Sequence, residues 1–145
     1  MIIAKNLNIK LRGSVIVRNL DLQISEGEIA LITGPTGSGK SLILKILSGV
    51  TYFLYPALEV TGYVKVFGLN PQEAFLRGLT YYIPQDINLG LINDSFIDEL
   101  AFYGIESIPY EVISKLGLEH AVKKAFNNLS VGEKYLIMIL LSILT

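Results

Sequence analysis

No cysteine occurs among the 145 residues of this chain, so disulfides and thiolate metal sites are excluded. His120 is the only histidine, which also excludes a multi-histidine metal site. An excess of either charge is missing too. Twelve Lys and Arg against thirteen Asp and Glu leave a formal net charge of −1, so no basic field points to nucleic acid. The longest apolar run, Tyr135 to Thr145, is too short to cross a bilayer. Lys5, Lys10 and Arg12 interrupt the apolar residues after Met1, so no signal peptide is read there. Internal repeats, low-complexity segments and long charge runs are absent. What remains is a chain of one-domain length with a positive mean hydropathy and ample material for a core, read as cytoplasmic.

The chemistry is concentrated in one stretch. Gly34-Pro35-Thr36-Gly37-Ser38-Gly39-Lys40-Ser41 fits G-x-x-x-x-G-K-[ST], the phosphate-binding P-loop. Before it, Ile29-Ala30-Leu31-Ile32-Thr33 has the pattern of a short buried strand. After it, Leu42 to Ser48 has helix length, with Gly49 where a helix C-terminus is often capped. Gly34, Gly37 and Gly39 let the backbone curl so that successive N–H groups point inward. The first helical turn adds unpaired donors and the positive end of its dipole. In that frame Lys40 reaches the β- and γ-phosphates, and the Ser41 hydroxyl ligates Mg²⁺.

The rest of the chain divides in character. Ile2–Leu11 and Val15–Ile24 read as strands around a turn at Arg12-Gly13-Ser14, and Val60–Phe67 as a third. Pro71–Arg77 reads as a short helix capped by Asn70. Leu79–Ile83 is a further β-rich run, closed by Pro84. Beyond Gln85, residues Ser95–Tyr103, Tyr110–Leu116, Glu119–Phe126 and Ser130–Leu144 all read as helices. A β-rich front half carrying the P-loop is thus followed by a helical back half.

Together with the P-loop, three stretches resemble the ATP-binding cassette (ABC) ATPases. Ile83-Pro84-Gln85-Asp86 is similar to the family's Q-loop, Leu129-Ser130-Val131-Gly132-Glu133 to its LSGGQ signature, and Ser25-Glu26-Gly27-Glu28-Ile29 to the turn before its P-loop strand. Ser95 to Phe102 also looks like the helix after the Q-loop in importer-type members. The resemblance implies an α/β P-loop NTPase of ABC type. Its parts would be an antiparallel β-subdomain, a P-loop core and a helical subdomain, arranged as residues 1–85, 86–130 and a signature helix over 130–145. It implies ATP and Mg²⁺ as cofactors, with Lys40 and Gln85 catalytic and with Ser41 and Gln85 on the metal. Gly34 to Ser41, Ser130 and Gly132 would hold the nucleotide. It further implies a second ATP-binding subunit, as homo- or heterodimer, and a membrane-embedded transporter subunit. No nucleic acid is implied, and the location would be peripheral, on the inner face of the cell membrane. In such dimers the signature of one subunit meets the γ-phosphate held by the other's P-loop.

Several residues depart from that pattern. Val131 stands where the signature has glycine, and a branched side chain resists close backbone approach. Glu133 stands where glutamine is usual and sets a carboxylate near a polyanion. Leu136 and Leu141 replace common arginines, and Leu11 falls near the place of an adenine-stacking aromatic; neither Tyr55 nor Tyr63 is assigned that part by the sequence. No Asp or Glu follows four consecutive apolar residues, so no Walker B carboxylate is read, and His120 precedes the signature and so is not the switch histidine. The expectation is the first two-thirds of an ABC ATPase with an incomplete sheet, leaving Ile29–Thr33, Leu79–Ile83 and the apolar face of Tyr135–Leu144 uncovered.

Plainer readings stand beside these. Ser130-x-x-Glu133 is also a capping box, which competes with an anion for the same N–H groups. Gln85 also reads as a polar residue closing a strand, and His120 as a solvated helix residue. The leading function is ATP binding that powers a membrane transporter through nucleotide-dependent dimerisation. The alternatives are a nucleotide-binding regulatory module without turnover and a non-transport ABC ATPase. A GTPase is disfavoured, since neither D-x-x-G nor [NT]-K-x-D occurs.

Overall fold

A computed structural model describes residues 1–51, 55, 57–107 and 110–144. The chain forms two compact units, Met1–Tyr82 and Ile83–Thr145.

The first unit is built on a hairpin. Strand β1 (Ile2–Leu11) turns through Arg12 and Gly13, both at positive φ, into β2 (Ser14–Ile24). Two successive positive φ values give the turn whose twist matches a hairpin. Strand β3 (Leu58–Val66) pairs with the other edge of β1, giving an antiparallel sheet of order β2-β1-β3. The register of β1 slips between Lys5 and Asn8. Asn6 takes φ 49° there, its N–H donates to Asp21 Oδ1 at 2.6 Å, and Asn8 Oδ1 accepts from Asn19 N–H at 3.0 Å. Side chains thus replace ladder bonds at an irregularity that shifts the alternation. This is why Ala4, Leu7 and Ile9, which are not evenly spaced, are all buried.

Those three residues pack with Ile43, Ile46 and Leu47 of helix α1 (Lys40–Ser48). The i, i+3, i+4 spacing makes one apolar stripe on α1, and each such side chain contributes roughly 1.5–3 kcal/mol when fully buried. Helix α1 is thereby fixed on the sheet with its N-terminus at the P-loop. Helix α2 (Pro71–Leu76) starts as expected: Asn70 Oδ1 accepts the Glu73 N–H at 2.7 Å and Pro71 occupies the first turn.

Two expected strands are not there. Ile29–Thr33 and Leu79–Ile83 have no strand geometry. Ile29 is 100% exposed and Leu31 86% exposed, against the buried strand expected of them. A strand exists only as half of a pair, and among the described residues the only sheet is β2-β1-β3, which includes neither segment. Leu79 is exposed as well, while Tyr81, Tyr82 and Ile83 are half-buried.

The second unit contains α3 (Phe96–Phe102), α4 (Tyr110–Lys115) and α5 (Val131–Leu144), with 3₁₀ turns at Ile87–Leu89 and Phe126–Asn128. Ser95 caps α3 by accepting the Asp98 N–H. Glu99 is fully buried. Its carboxylate accepts from Ile92 N–H at 3.2 Å, Asn93 N–H at 2.8 Å and Asn93 Nδ2 at 3.0 Å, tying the 92–93 loop to α3. The expected helix over Glu119–Phe126 is instead a run of turns, in which Ala121 N–H donates to Leu118 O and Lys124 N–H to Ala121 O. Ala121, Val122 and Phe126 are still buried, so i+3 turns achieve the burial that suggested a helix. On α5, Ile137, Met138, Leu140 and Leu141 are buried, while Ile139 and Ile143 are exposed.

Candidate nucleotide site

The P-loop residues form a cradle with few side chains in it. Gly34, Gly37 and Gly39 have φ of 151°, 83° and 88°, values that L-residues with a Cβ rarely adopt. Gly39 is the cap residue of α1 and offers no side-chain acceptor, and no acidic residue lies in the first turn. The N–H groups and positive dipole end of a nine-residue helix are therefore not offset by any side chain of the loop. Ile43 N–H makes the first helical bond, to Gly39 O at 2.9 Å.

Lys40 is folded over the loop. Its ammonium donates to Gly34 O at 2.8 Å and Pro35 O at 2.6 Å, with Ser38 Oγ at 3.5 Å. Ser38 N–H also donates to Pro35 O. Thr36 lies at the exposed tip of the loop. Beside the loop is a cavity of about 340 Å³, lined by Gly37, Gly39, Lys40, Ser41 and Leu42, then by Leu11, Ile16, Lys45 and Tyr55. Its size lies within the range of small-molecule sites. The donor set suits a polyphosphate: backbone N–H groups, the Lys40 and Lys45 ammonium groups, and a hydroxyl on Ser41 for a hard cation. Among the described residues no group of three or more His, Asp or Glu side chains converges to hold a metal by itself. A divalent ion here would be shared with phosphate oxygens.

Gln85, Ser130 and Gly132 belong to the second unit. Gln85 is exposed, and its carbonyl accepts from Tyr135 Oη of α5 at 2.6 Å. The backbone at Gln85 is thus pinned to α5. At the start of α5 the capping box is complete. Ser130 N–H and Ser130 Oγ donate to Glu133 Oε2 at 2.7 and 2.6 Å, and Glu133 N–H points back at Ser130 Oγ. His120 closes the arrangement. It lies in a turn, not a helix, and its Nε2 pairs with Glu133 Oε1. The Ser130 hydroxyl first, then the Ser130 N–H and the His120 ring, hold the Glu133 carboxyl down to about 2 from an ordinary 4.5. Gly132 has open space where a Cβ would stand, while Val131 is exposed.

The family model for ABC transporters matches residues 17–145. The chain belongs to the ABC transporter family. A Saccharolobus solfataricus protein provisionally named an ABC transporter ATP-binding protein is 35% identical to this ABC chain over 137 residues, 86% of this chain and 25% of that protein. The hemin import ATP-binding protein HmuV of Photobacterium profundum is 28% identical over 142 residues, 90% of this chain and 49% of that protein. The chain therefore spans between a quarter and a half of these two relatives. Among solved structures, cbiO1 from Clostridium perfringens, part of the ABC transporter complex cbiONQ, superposes with a TM-score of 0.74 at 20% identity, covering 98% of this chain and 60% of that one. The fold is accordingly the α/β fold of ABC ATP-binding domains.

Two residues around the site carry no signal in the sequence. Lys45 and Tyr55 line the cavity beside the P-loop, and no motif marks either. His120 is a third: its pairing with Glu133 spans thirteen positions, and no local pattern signals it.

Proposed function

We propose that this ABC chain binds Mg-ATP at the P-loop and contributes it to ATP-driven transport by a membrane protein. The observation that carries the reading is the uncapped, glycine-built N-terminus of α1 opening on the 340 Å³ cavity. The N–H groups of Gly37 to Ser41 would hold the β- and γ-phosphates, with Lys40 leaving its carbonyl partners to neutralise them. Ser41, with Gln85, would hold Mg²⁺, which when bound screens phosphate charge and polarises the γ-phosphoryl group. Ser130 and Gly132 would face the nucleotide of a second ATP-binding subunit, so that binding drives dimerisation and hydrolysis releases it. Gln85 would pass the nucleotide state to a membrane-embedded subunit, which places the protein on the inner face of the cell membrane. Relatives named for import of hemin and zinc support the transport reading. Among the described residues, no helix is long and apolar enough to cross a membrane.

The test is a thermal melt with and without Mg-ATP, alongside Lys40→Ala. Ligand at a hundredfold above Kd stabilises the native state by about 2.7 kcal/mol. An upward shift that Lys40→Ala abolishes is expected; a melt indifferent to Mg-ATP refutes the reading. A second reading, nucleotide binding without turnover, is favoured by one observation: the Glu133 carboxylate already takes both the N–H and the hydroxyl of Ser130. Phosphate release that vanishes in Lys40→Ala rules that second reading out.

A further inference from the structure

One group at the start of α5 has no part in the function proposed above. His120 Nε2 pairs with Glu133 Oε1, while Glu133 Oε2 accepts from the N–H and the hydroxyl of Ser130. Cap and ring thus use different oxygens of one carboxylate. The His120 side chain is 46% exposed and that of Glu133 26%, so the pair exchanges protons directly with solvent. The bonds to Ser130, then to His120, hold the Glu133 carboxyl down to about 2, so its charge is constant across the neutral range. Histidine is the side chain whose charge ordinarily changes between about pH 5 and 8, and this chain has one. A neutral ring leaves the corner with the Glu133 charge; a protonated ring cancels it. The other charged groups around His120 are of fixed type. Glu119, next along the chain, interacts electrostatically with the ring, and its Oε1 accepts from Ser114 Oγ of α4 at 2.7 Å. Lys115 of α4 pairs with Glu111. Lys123 and Lys124 are exposed in the same run of turns, and Lys134 of α5 reaches Asn88 Oδ1 at 3.5 Å. The segment bridged to Ala125 brings Asp94 and Asp98, the latter accepting from Ser95 Oγ. Carboxylates and lysines ordinarily keep their charge across that range.

We propose that His120 is a proton-sensitive control on the signature: its protonated ring cancels the Glu133 charge and strengthens the nucleotide-dependent association of two chains, and its neutral ring leaves that corner repelling the second chain's phosphates. The proposal rests on Ser130 and Gly132 facing the nucleotide of a second chain, and it adds regulation to that reading. The control acts through charge and not through the fold, because the Ser130 cap is built on the carboxylate oxygen that His120 does not use. A polyphosphate carries several negative charges, so one unit of charge at the corner is multiplied in its effect. Glu133 and His120 are both partly exposed, so salt screens the interaction. Gly34 to Ser41 include no histidine, so nucleotide binding by a single chain lies outside the control.

Sedimentation of the full chain in Mg-ATP, at about pH 5.5 and about pH 8, is the test. In low salt, association is expected to be about tenfold tighter at the lower pH, and the difference should shrink at about 1 M salt, where the screening length falls to about 3 Å. His120→Asn should associate weakly at both pH values and His120→Lys tightly at both. Glu133→Gln at the higher pH should match the parent at the lower. Titration of the ligand's own phosphates is common to every variant and cancels in the comparison. In the unsubstituted chain, the ring protons of the one histidine give an NMR readout that needs no variant to fold. If protonation favours association, association favours protonation, so the titration midpoint of the ring should move up when Mg-ATP brings chains together. Association that ignores pH, a pH dependence that His120→Asn retains, or a midpoint that stays still on association would each overturn the proposal. If the parent does not associate in Mg-ATP at either pH, the reading of the signature as facing a second nucleotide itself fails, and this inference with it.

Discussion

Gly49→Ala is the sharpest test of how α1 is held. Gly49 ends α1 with φ 86°, and its N–H donates to Ile46 O at 3.1 Å. A Cβ placed there would sit 2.2 Å from the Pro71 carbonyl oxygen, 2.7 Å from its carbon and 2.8 Å from Phe75 Cβ. Two costs arise. The left-handed conformation costs an L-residue about 1–2 kcal/mol. The clash adds roughly 1–3 kcal/mol, because the nearest atoms are the backbone of α2 and a rotamer change cannot relieve them. The expected total is about 2–5 kcal/mol, a large share of the ~5–15 kcal/mol that stabilises a typical domain. Gly13 supplies the control. It has φ 80° and nothing within 4 Å of the added Cβ, so Gly13→Ala carries the conformational cost alone. Urea unfolding followed by circular dichroism measures both. With a urea slope of about 1–3 kcal/mol/M, the Gly49 variant should unfold at a midpoint lower than the Gly13 variant by ~1 M. Equal midpoints would refute the argument, since the approach of α2 to the end of α1 would then be slack.

Other consequences are as direct. Glu99→Ala leaves the Ile92 and Asn93 N–H groups without their acceptor, at a cost of about 2–4 kcal/mol; hydrogen exchange at those two amides should accelerate, and less so in Glu99→Gln, which keeps an acceptor oxygen. Glu133 is a depressed carboxyl, so its stabilising contribution is complete above an ordinary 4.5 and is lost as pH falls towards about 2. Ser130→Ala should move the Glu133 midpoint upward by more than His120→Ala does, as followed by NMR titration, because the Ser130 hydroxyl is the larger cause.

Local signals in the sequence lead to local structure. The Arg12-Gly13 turn, the Asn70 cap with Pro71, the Ser95 cap and the Ser130/Glu133 box each depend on residues within four positions of one another, and each forms. The P-loop belongs with them in its positive φ angles, although Gly39 also leaves no room for a Cβ, which would stand 2.8 Å from Ile16 of β2. Ile29–Thr33 and Leu79–Ile83 differ because pairing is not a local property. Their β-rich composition is real, but a ladder needs a partner, and nothing in a five-residue window reveals whether one exists. Glu119–Phe126 failed for another reason. Leu118, Ala121 and Val122 are spaced for a helix face, and successive i+3 turns satisfy that spacing equally well over so short a segment. The Lys45–Tyr55 pair is ten residues apart, beyond any periodic pattern, and only the fold brings the two side chains to one cavity.

The start of α5 shows how one side chain alters what a helix N-terminus can offer. A helix N-terminus has a small set of free donors, and a side chain or an anion can use them. Here the Glu133 carboxylate takes the Ser130 N–H and hydroxyl, which hold its pKa down to about 2 and keep it ionised at neutral pH. A phosphate approaching Ser130 would therefore meet a fixed negative charge and would have to displace two short hydrogen bonds. Glutamine at this position would keep one acceptor for the Ser130 N–H while removing the charge. His120 works in the opposite sense, because protonation of its ring places a cation against the same carboxylate. The physical chemistry of this corner thus favours a stable cap over anion capture, whereas the glycine-built end of α1 has no such competitor. Nucleotide affinity should therefore reside in the P-loop, and Glu133→Gln should strengthen any nucleotide-dependent association of two ABC chains while leaving Mg-ATP affinity of the single chain unchanged. Sedimentation in Mg-ATP would decide it, and an association equally weak in both forms would show that the Glu133 charge is not what limits the signature.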